Sequence, residues 1–404
     1  MSQEITALKI DRLAGLGDGM GIHGGRKIFV PYTIAGDVVD ARITKKTADA
    51  DYAVLEKIIT PGENRIAPVC RHFGECGGCA LQHVNYSVYT GFKQDMAREA
   101  VRKAGFDPAC VEPLVTFAAN TRRRVDLKVH NGMIGFYAGQ SHRIVDMQEC
   151  KVLEPSLFEL IMQIKKQLPN LPKITGIQIN GIDDGYDVLV EGADGEKLKL
   201  PGIKRLSVRE GKMIKIVQQS GDVTLTLGSV AVEISPGAFL QASREAQEIM
   251  TGLVLKAVGN AAHILDLFAG IGTYSFPLTT CSTVMAIEGE KAMAQVITTT
   301  AHKHSLSKKI KAEMRDLFNN PIKYAMLNRY DAVAINPPRA GAKSQCEELA
   351  QSKVSRVIMV SCNPATFTRD ARILREGGYK LSRLTPIDQF VYSAHLELVA
   401  EFTH

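Results

Sequence analysis

The chain has 404 residues, 45% hydrophobic and 23% charged, the balance of an ordinary globular protein with room for a sizeable core and about two to four domains. Its net charge of +6 permits a polyanionic partner without requiring one. No apolar run approaches the roughly eighteen residues of a membrane span, and no basic segment leads into an apolar one at the N-terminus, so a reducing, cytoplasmic setting away from membranes is expected.

Residues 1–62 read as a small β-rich unit. Gly-rich turns between Gly15 and Gly25 separate short apolar runs such as Lys27–Pro31, and Pro61-Gly62 ends it. Residues 63–235 make a central α+β region. It holds a helix from Tyr89 to Ala104, strands at 125–129, 174–179 and 187–190, and an amphipathic helix over 153–168. From 236 to 404 the texture changes. A helix over 242–258 is followed by buried apolar strands at 264–268, 284–287, 331–335 and 356–360, separated by helical stretches. That alternation predicts an α/β, Rossmann-like domain with a parallel sheet between helices.

Eight cysteines in a reducing compartment do not suggest disulfides. Three of them crowd into Cys70-x5-Cys76-x2-Cys79 among Gly74, Gly77 and Gly78, and Cys150 follows as a fourth. Four thiolates suit zinc or a [4Fe–4S] cluster. Spacing leaves both open, and the lack of paired C-x2-C knuckles tilts towards iron–sulfur. The cysteines lie far in sequence from the later motifs, so a structural or RNA-positioning role is expected.

After the strand at 264–268 comes Ala269-Gly270-Ile271-Gly272-Thr273-Tyr274, a turn in which backbone can approach a ligand closely. Asp266 can orient it, and Glu288, about twenty residues on, can hold the ribose hydroxyls of an adenosine. Ser275 breaks the full dinucleotide pattern, which favours S-adenosylmethionine. Asp316 is placed for an adenine-edge contact or, equally, for a helix cap. The strand ending in Asn336-Pro337-Pro338-Arg339 makes a stiff turn that can hold a flat base against the cofactor.

Cys362, in Val360-Ser361-Cys362-Asn363-Pro364, falls at the carboxyl end of a buried strand, where ligands bind in such folds. A thiol there suits methylation at C5 of uracil. C5 is a poor nucleophile until a thiolate adds at C6, and a base must then remove the C5 proton. Glu397, in His395-Leu396-Glu397, is the expected base.

Together these pieces resemble the uracil-C5 RNA methyltransferases, in particular their bacterial iron–sulfur 23S rRNA branch. Gly17-x-Gly19-Met20-Gly21, Val30-Pro31-Tyr32-Thr33 and Gly36-Asp37-Val38-Val39 are similar to a TRAM domain, an OB-like RNA-binding barrel. Ser235–Gln241, Asp266–Gly272, Ser361–Pro364 and His395-x-Glu397 are similar to that family's site motifs. The resemblance implies a cofactor site of Gln241, Phe268, Thr273, Glu288, Asp316 and Asn336, Cys362 as nucleophile and Glu397 as base. It also implies a cluster on Cys70, Cys76, Cys79 and Cys150. Asn336 stands where the family usually has aspartate, keeping a hydrogen-bond acceptor but losing the charge. The implied partner is RNA, 23S rRNA first and tRNA second, bound by a monomer. Arg122-Arg123-Arg124, the densest positive run, is expected to face phosphates, with Phe390 available for stacking. Two other readings compete: an amino-group methyltransferase using Asn-Pro-Pro, which needs no thiol, and a non-catalytic, cluster-bearing RNA-binding protein.

Overall fold

The computed structural model describes residues 3–404. Six N-terminal strands lie side by side in the order Glu4–Lys9, Val38–Lys46, Ala50–Thr60, Arg26–Val30, Gly19–His23 and Arg12–Leu13. Alternation decides which face is buried: Val39, Ala41 and Ile43 turn inward to meet Ile5, Leu8, Ile28 and Val30. Buried Asp37 pairs with Arg65 at 2.6 Å, tying this sheet to the segment that leads into the cysteines.

A second six-stranded sheet runs Met213–Gln219, Arg205–Glu210, Gly185–Glu191, Gly176–Ile182, Arg124–His130 and Met133–Gly135. One helix, Pro155–Lys165, covers it with Leu157, Leu160, Ile161 and Ile164, an i, i+3, i+4, i+7 stripe set against Val125, Leu127 and Val129. This helix is shorter than the expected 153–168. Pro155 sets its first turn, and Leu168-Pro169 starts a separate 3-10 turn.

The third sheet has eight strands in the order Ile310–Met314, Thr283–Glu288, His263–Leu267, Ala332–Ile335, Arg356–Ser361, Glu397–Thr403, Lys380–Asp388 and Val115–Thr116. The first five are parallel, and the inner three, His263–Leu267, Ala332–Ile335 and Arg356–Ser361, are buried on both faces. Helices Arg244–Val258 and Lys291–Lys303 pack on one face, and Tyr86–Ala104, Lys343–Leu349 and Pro364–Glu376 on the other. The expected parallel sheet is mixed at this end, because Glu397–Thr403 runs antiparallel to both neighbours. The link from Asp388 to Glu397 is too short for the crossover a parallel pair needs. The hairpin Thr224–Leu227 and Val230–Glu233 shares the core of the first helical layer. Among the described residues no helix is long and apolar enough to cross a membrane.

Candidate active site

Parallel strands end together, so the loops after Leu267, Glu288, Ile335 and Ser361 gather at one edge. The antiparallel last strand starts where they stop: Ser361 is in register with Leu398, which brings Glu397 to the same edge as Cys362. A cleft of about 630 Å³ opens there, within the range of about 300–1,000 Å³ usual for ligand sites.

The Gly-rich turn forms its floor. Phe268, Gly270 and Gly272 all have positive φ, at 60°, 59° and 91°. A Cβ on Gly272 would fall 2.7 Å from the Phe276 ring, whereas the space beside Gly270 is open. The Gly270 N–H donates to Glu288 Oε2 at 2.8 Å and the Glu290 N–H to Oε1 at 2.9 Å, so the Glu288 carboxylate is fixed facing the turn. Asp266 lies beneath, wholly buried, and accepts from the Ser275 hydroxyl; burial pushes its carboxyl up to about 7. Thr273 and Phe268 line the cleft above it.

Asp316 also lines the cleft, but it caps no helix. Its Oδ1 accepts from the Phe318 and Asn319 N–H groups at 3.0 and 3.4 Å, closing a turn that sets the Phe318 ring 5.5 Å from Phe268. Asn336 enters from the next strand end, its N–H bonded to Leu267 O at 3.2 Å. Gln241 also lines the cleft.

Cys362 and Glu397 face the other end of the cleft. Glu397 is 4% exposed, and burial pushes its carboxyl up to about 7, against the pull of a Gln389 hydrogen bond and the Arg339 charge. Burial and the nearby Glu397 raise the Cys362 thiol, and Arg339 lowers it. Arg339 therefore lies near enough to act on both acid and thiol. Its Nη2 lies 3.3 Å from His395 Nε2, and its carbonyl accepts from Asn363 Nδ2 at 3.1 Å. The loop bearing His395 is clamped from behind by Lys93, which donates to the His395 carbonyl and pairs with Asp388 at 2.8 Å.

The arginine run departs from the expected phosphate-facing surface. Arg123 is 1% exposed and structural: its Nη2 donates to Gln247 Oε1 at 2.8 Å and its Nε to the Gln241 carbonyl at 3.2 Å. Arg122 and Arg124 are half-buried in the cleft wall, with Arg124 4.8 Å above the Phe239 ring. Burial lowers all three guanidinium pKa values, Arg123's to about 10.

Cys70, Cys76, Cys79 and Cys150 line a single cavity of about 240 Å³. Among the described residues, no group of three or more His, Cys, Asp or Glu side chains is arranged to hold a metal ion. The Gly78 N–H donates to Cys76 Sγ at 3.4 Å. Burial raises all four thiols, Cys79 to about 12; neighbouring sulfurs add to the rise at Cys76, Cys79 and Cys150, and Glu149 adds to it at Cys70. Distance in sequence misleads here. The cavity and the cleft share Arg122, Arg339, Phe390 and His395, and the Ala80 and Leu81 N–H groups both donate to the Tyr392 carbonyl, at 2.8 and 2.9 Å.

The eight residues expected at the cofactor and catalytic sites thus come together in one cleft, and the four cysteines in one adjoining cavity. Sequence reasoning gave no role to Arg339, although it directly follows the Pro-Pro turn. It also missed Phe239, which lies within a quoted motif, and Gln389, whose partners are distant in sequence.

The sequence pattern of the tRNA (Uracil-5-)-methyltransferase family matches residues 212–401. An uncharacterized RNA methyltransferase of Brucella suis is 36% identical over 100% of this chain and 99% of its own length. The 23S rRNA (uracil-1939-C5)-methyltransferase RlmD of Halomonas elongata is 29% identical, over 96% of this chain and 87% of its own. In fold, the Pyrococcus abyssi tRNA (uracil-54, C5)-methyltransferase, solved with S-adenosyl-L-homocysteine, superposes with a TM-score of 0.76 over 100% of both chains at 22% identity. The chain belongs to the tRNA (uracil-5-)-methyltransferase family of RNA methyltransferases, enzymes that methylate C5 of uracil in RNA with S-adenosylmethionine.

Proposed function

We propose that the chain methylates C5 of a uridine in 23S rRNA through a covalent adduct on Cys362, working as a cytoplasmic monomer. One observation carries the mechanism: Cys362, Arg339 and Glu397 meet at one end of a cleft whose other end presents the Gly270 turn and Glu288. S-Adenosylmethionine supplies an electrophilic methyl group, and Gln241, Phe268, Thr273, Glu288, Asp316 and Asn336 would hold it. Open space beside Gly270 and the fixed Glu288 carboxylate fit an adenosine moiety.

Arg339 favours the Cys362 thiolate. The thiolate adds to C6, the electron pair moves through C5 towards the C4 carbonyl, and C5 takes the methyl group. Glu397, ionised, removes the C5 proton; the C5–C6 double bond re-forms and Cys362 leaves. A carboxyl with a pKa near 7 suits this task, because it is a stronger base than an exposed glutamate and still ionises near neutrality. The target uridine must leave its stack to reach the cleft. Half-buried Arg122 and Arg124, with Phe239 and Phe390, are suited to receive it.

A [4Fe–4S] cluster on Cys70, Cys76, Cys79 and Cys150 is part of the same reading. The support is four sulfurs lining one cavity, a donor set that suits such a cluster. Residues 1–62 serve as a TRAM-type RNA-binding domain, 63–235 as the cluster-bearing domain and 236–404 as the methyltransferase domain.

The test is to incubate oxygen-free protein with S-adenosylmethionine and either 23S rRNA or tRNA lacking 5-methyluridine, then to analyse the nucleosides by mass spectrometry. New 5-methyluridine in 23S rRNA, lost with Cys362→Ala, is expected. Product only in tRNA would move the target. A different methylated nucleoside, still made by Cys362→Ala, would replace the covalent mechanism with the amino-group reading.

A further inference from the structure

We propose that Gln389 is a positioning residue for methyl transfer, one amide nitrogen holding both the cofactor-side Gln241 and the base Glu397. Gln389 is 3% exposed. Its Nε2 donates to Gln241 Oε1 at 3.0 Å and to Glu397 Oε1 at 3.0 Å. The two acceptors are 156 residues apart (397 less 241), and both line the cleft.

The arrangement has two consequences. Gln241 accepts through its oxygen, so its own amide nitrogen is left to donate towards whatever occupies the cofactor end. Glu397 receives a donor on one oxygen, which fixes the rotation of the carboxylate and favours its ionised form. Both amide hydrogens of Gln389 are thereby spent on the two groups that must act on either side of C5. Gln389 Oε1 is buried with no partner. An unpaired buried acceptor costs stability, which argues that the orientation is set by the two donated bonds and not by the oxygen.

The inference rests on Glu397 as base. The other groups facing that carboxylate are Arg339, from the loop after Ala332–Ile335; Cys362, after Arg356–Ser361; and Tyr274, just before the short helix Ser275–Leu278. Arg339 is the one cation among them, so it and Gln389 are the two that favour ionisation.

The experiment measures tritium release from RNA carrying 5-³H-uridine, as a function of pH, for wild type, Gln389→Leu, Gln389→Glu and Glu397→Gln, with S-adenosylmethionine affinity measured for each. Losing the donated bond raises the Glu397 pKa, so the acidic limb of kcat should move to higher pH in Gln389→Leu. It should move further in Gln389→Glu, which sets a like charge beside the base. Turnover at neutral pH should fall about tenfold, with partial recovery as pH rises and little change in KM for RNA. Cofactor affinity should weaken in both variants. A uniform loss at every pH, or an unmoved acidic limb with unchanged cofactor affinity, would overturn the proposal. The isosteric Gln389→Glu guards against a leucine variant that merely misfolds. If Glu397→Gln keeps wild-type tritium release, the base assignment itself fails, a result distinct from failure of the Gln389 link.

Discussion

The cleft with Cys362 and Glu397 and the cavity with four cysteines adjoin, share four residues, and differ in what surrounds their thiols. In the cleft, the protein supplies its own counter-charges: Arg339 faces Cys362 and Glu397, and Gln389 donates to Glu397. In the cavity, Cys70 and its neighbours raise Cys76, Cys79 and Cys150, and the Cys79 thiol stands near 12. Cations act in both places, Arg339 on Cys362, Lys151 on Cys70 and Arg122 on Cys150, and in both burial still raises the thiols.

The largest effect should come from the poised thiol. Cys362→Ala is expected to abolish 5-methyluridine formation while leaving cofactor affinity within a few-fold of wild type. Mass spectrometry and calorimetry check this, and surviving product would remove Cys362 from the mechanism. Glu397→Gln should slow turnover by about 10²–10⁴-fold. It should also trap methylated RNA on the enzyme, visible as a band that withstands denaturing electrophoresis and is absent from Cys362→Ala. For wild type, the base acts when ionised, so turnover should rise with pH through about 7. A flat profile across that window would contradict the assignment.

Arg339 tests the counter-charge directly. Removing it in Arg339→Ala takes away the influence that lowers the Cys362 pKa. Alkylation of Cys362 by iodoacetamide should then need higher pH than in wild type, and turnover at neutral pH should fall by about tenfold or more. Identical alkylation profiles would mean the arginine serves RNA alone.

How much of this was legible before the structure follows from the same contrast. The buried parallel strands, the Gly270 turn and the chain positions of Cys362 and Glu397 were readable, because buried strands and Gly-rich turns leave local patterns. The antiparallel last strand was not, although it is what carries Glu397 to the edge that holds Cys362. The shortness of the 389–396 loop was its only trace. Arg122-Arg123-Arg124 looked like a surface run and proved to be half-buried wall and buried strut, since charge density says nothing of what packs above it. Gln389 left no mark, because both of its partners are assembled only by tertiary folding. Asp316 resembled a cap, and its turn supplies Phe318 instead of a helix.

A smaller effect on chemistry, and a larger one on the cavity, is expected of Cys79→Ser. Oxygen-free protein should lose iron and the visible absorption of the cluster, and should melt at lower temperature than wild type. The Ala80 and Leu81 bonds to Tyr392 tie this region to the loop that carries Phe390 and His395, so RNA affinity should weaken more than cofactor affinity. Full iron content in the serine variant would exclude Cys79 as a ligand, and zinc in place of iron would change the metal.

The smallest expected effect tests how far the cleft depends on its own charge balance. Asn336 lines the same space as Glu288, Asp316 and Glu397, and it bears no charge. Asn336→Asp would add a carboxylate. The cationic sulfonium and ammonium of the cofactor should then bind more tightly, by no more than about fivefold for a partly solvated pair. The same charge would oppose ionisation of Cys362 and Glu397, so the alkylation profile of the thiol and the acidic limb of turnover should both move to higher pH. Tighter cofactor binding with slower turnover at neutral pH would show that the amide balances affinity against the thiolate. If affinity and both pH profiles stay at wild-type values, Asn336 is a turn residue, and the counter-charge rests with Arg339 alone.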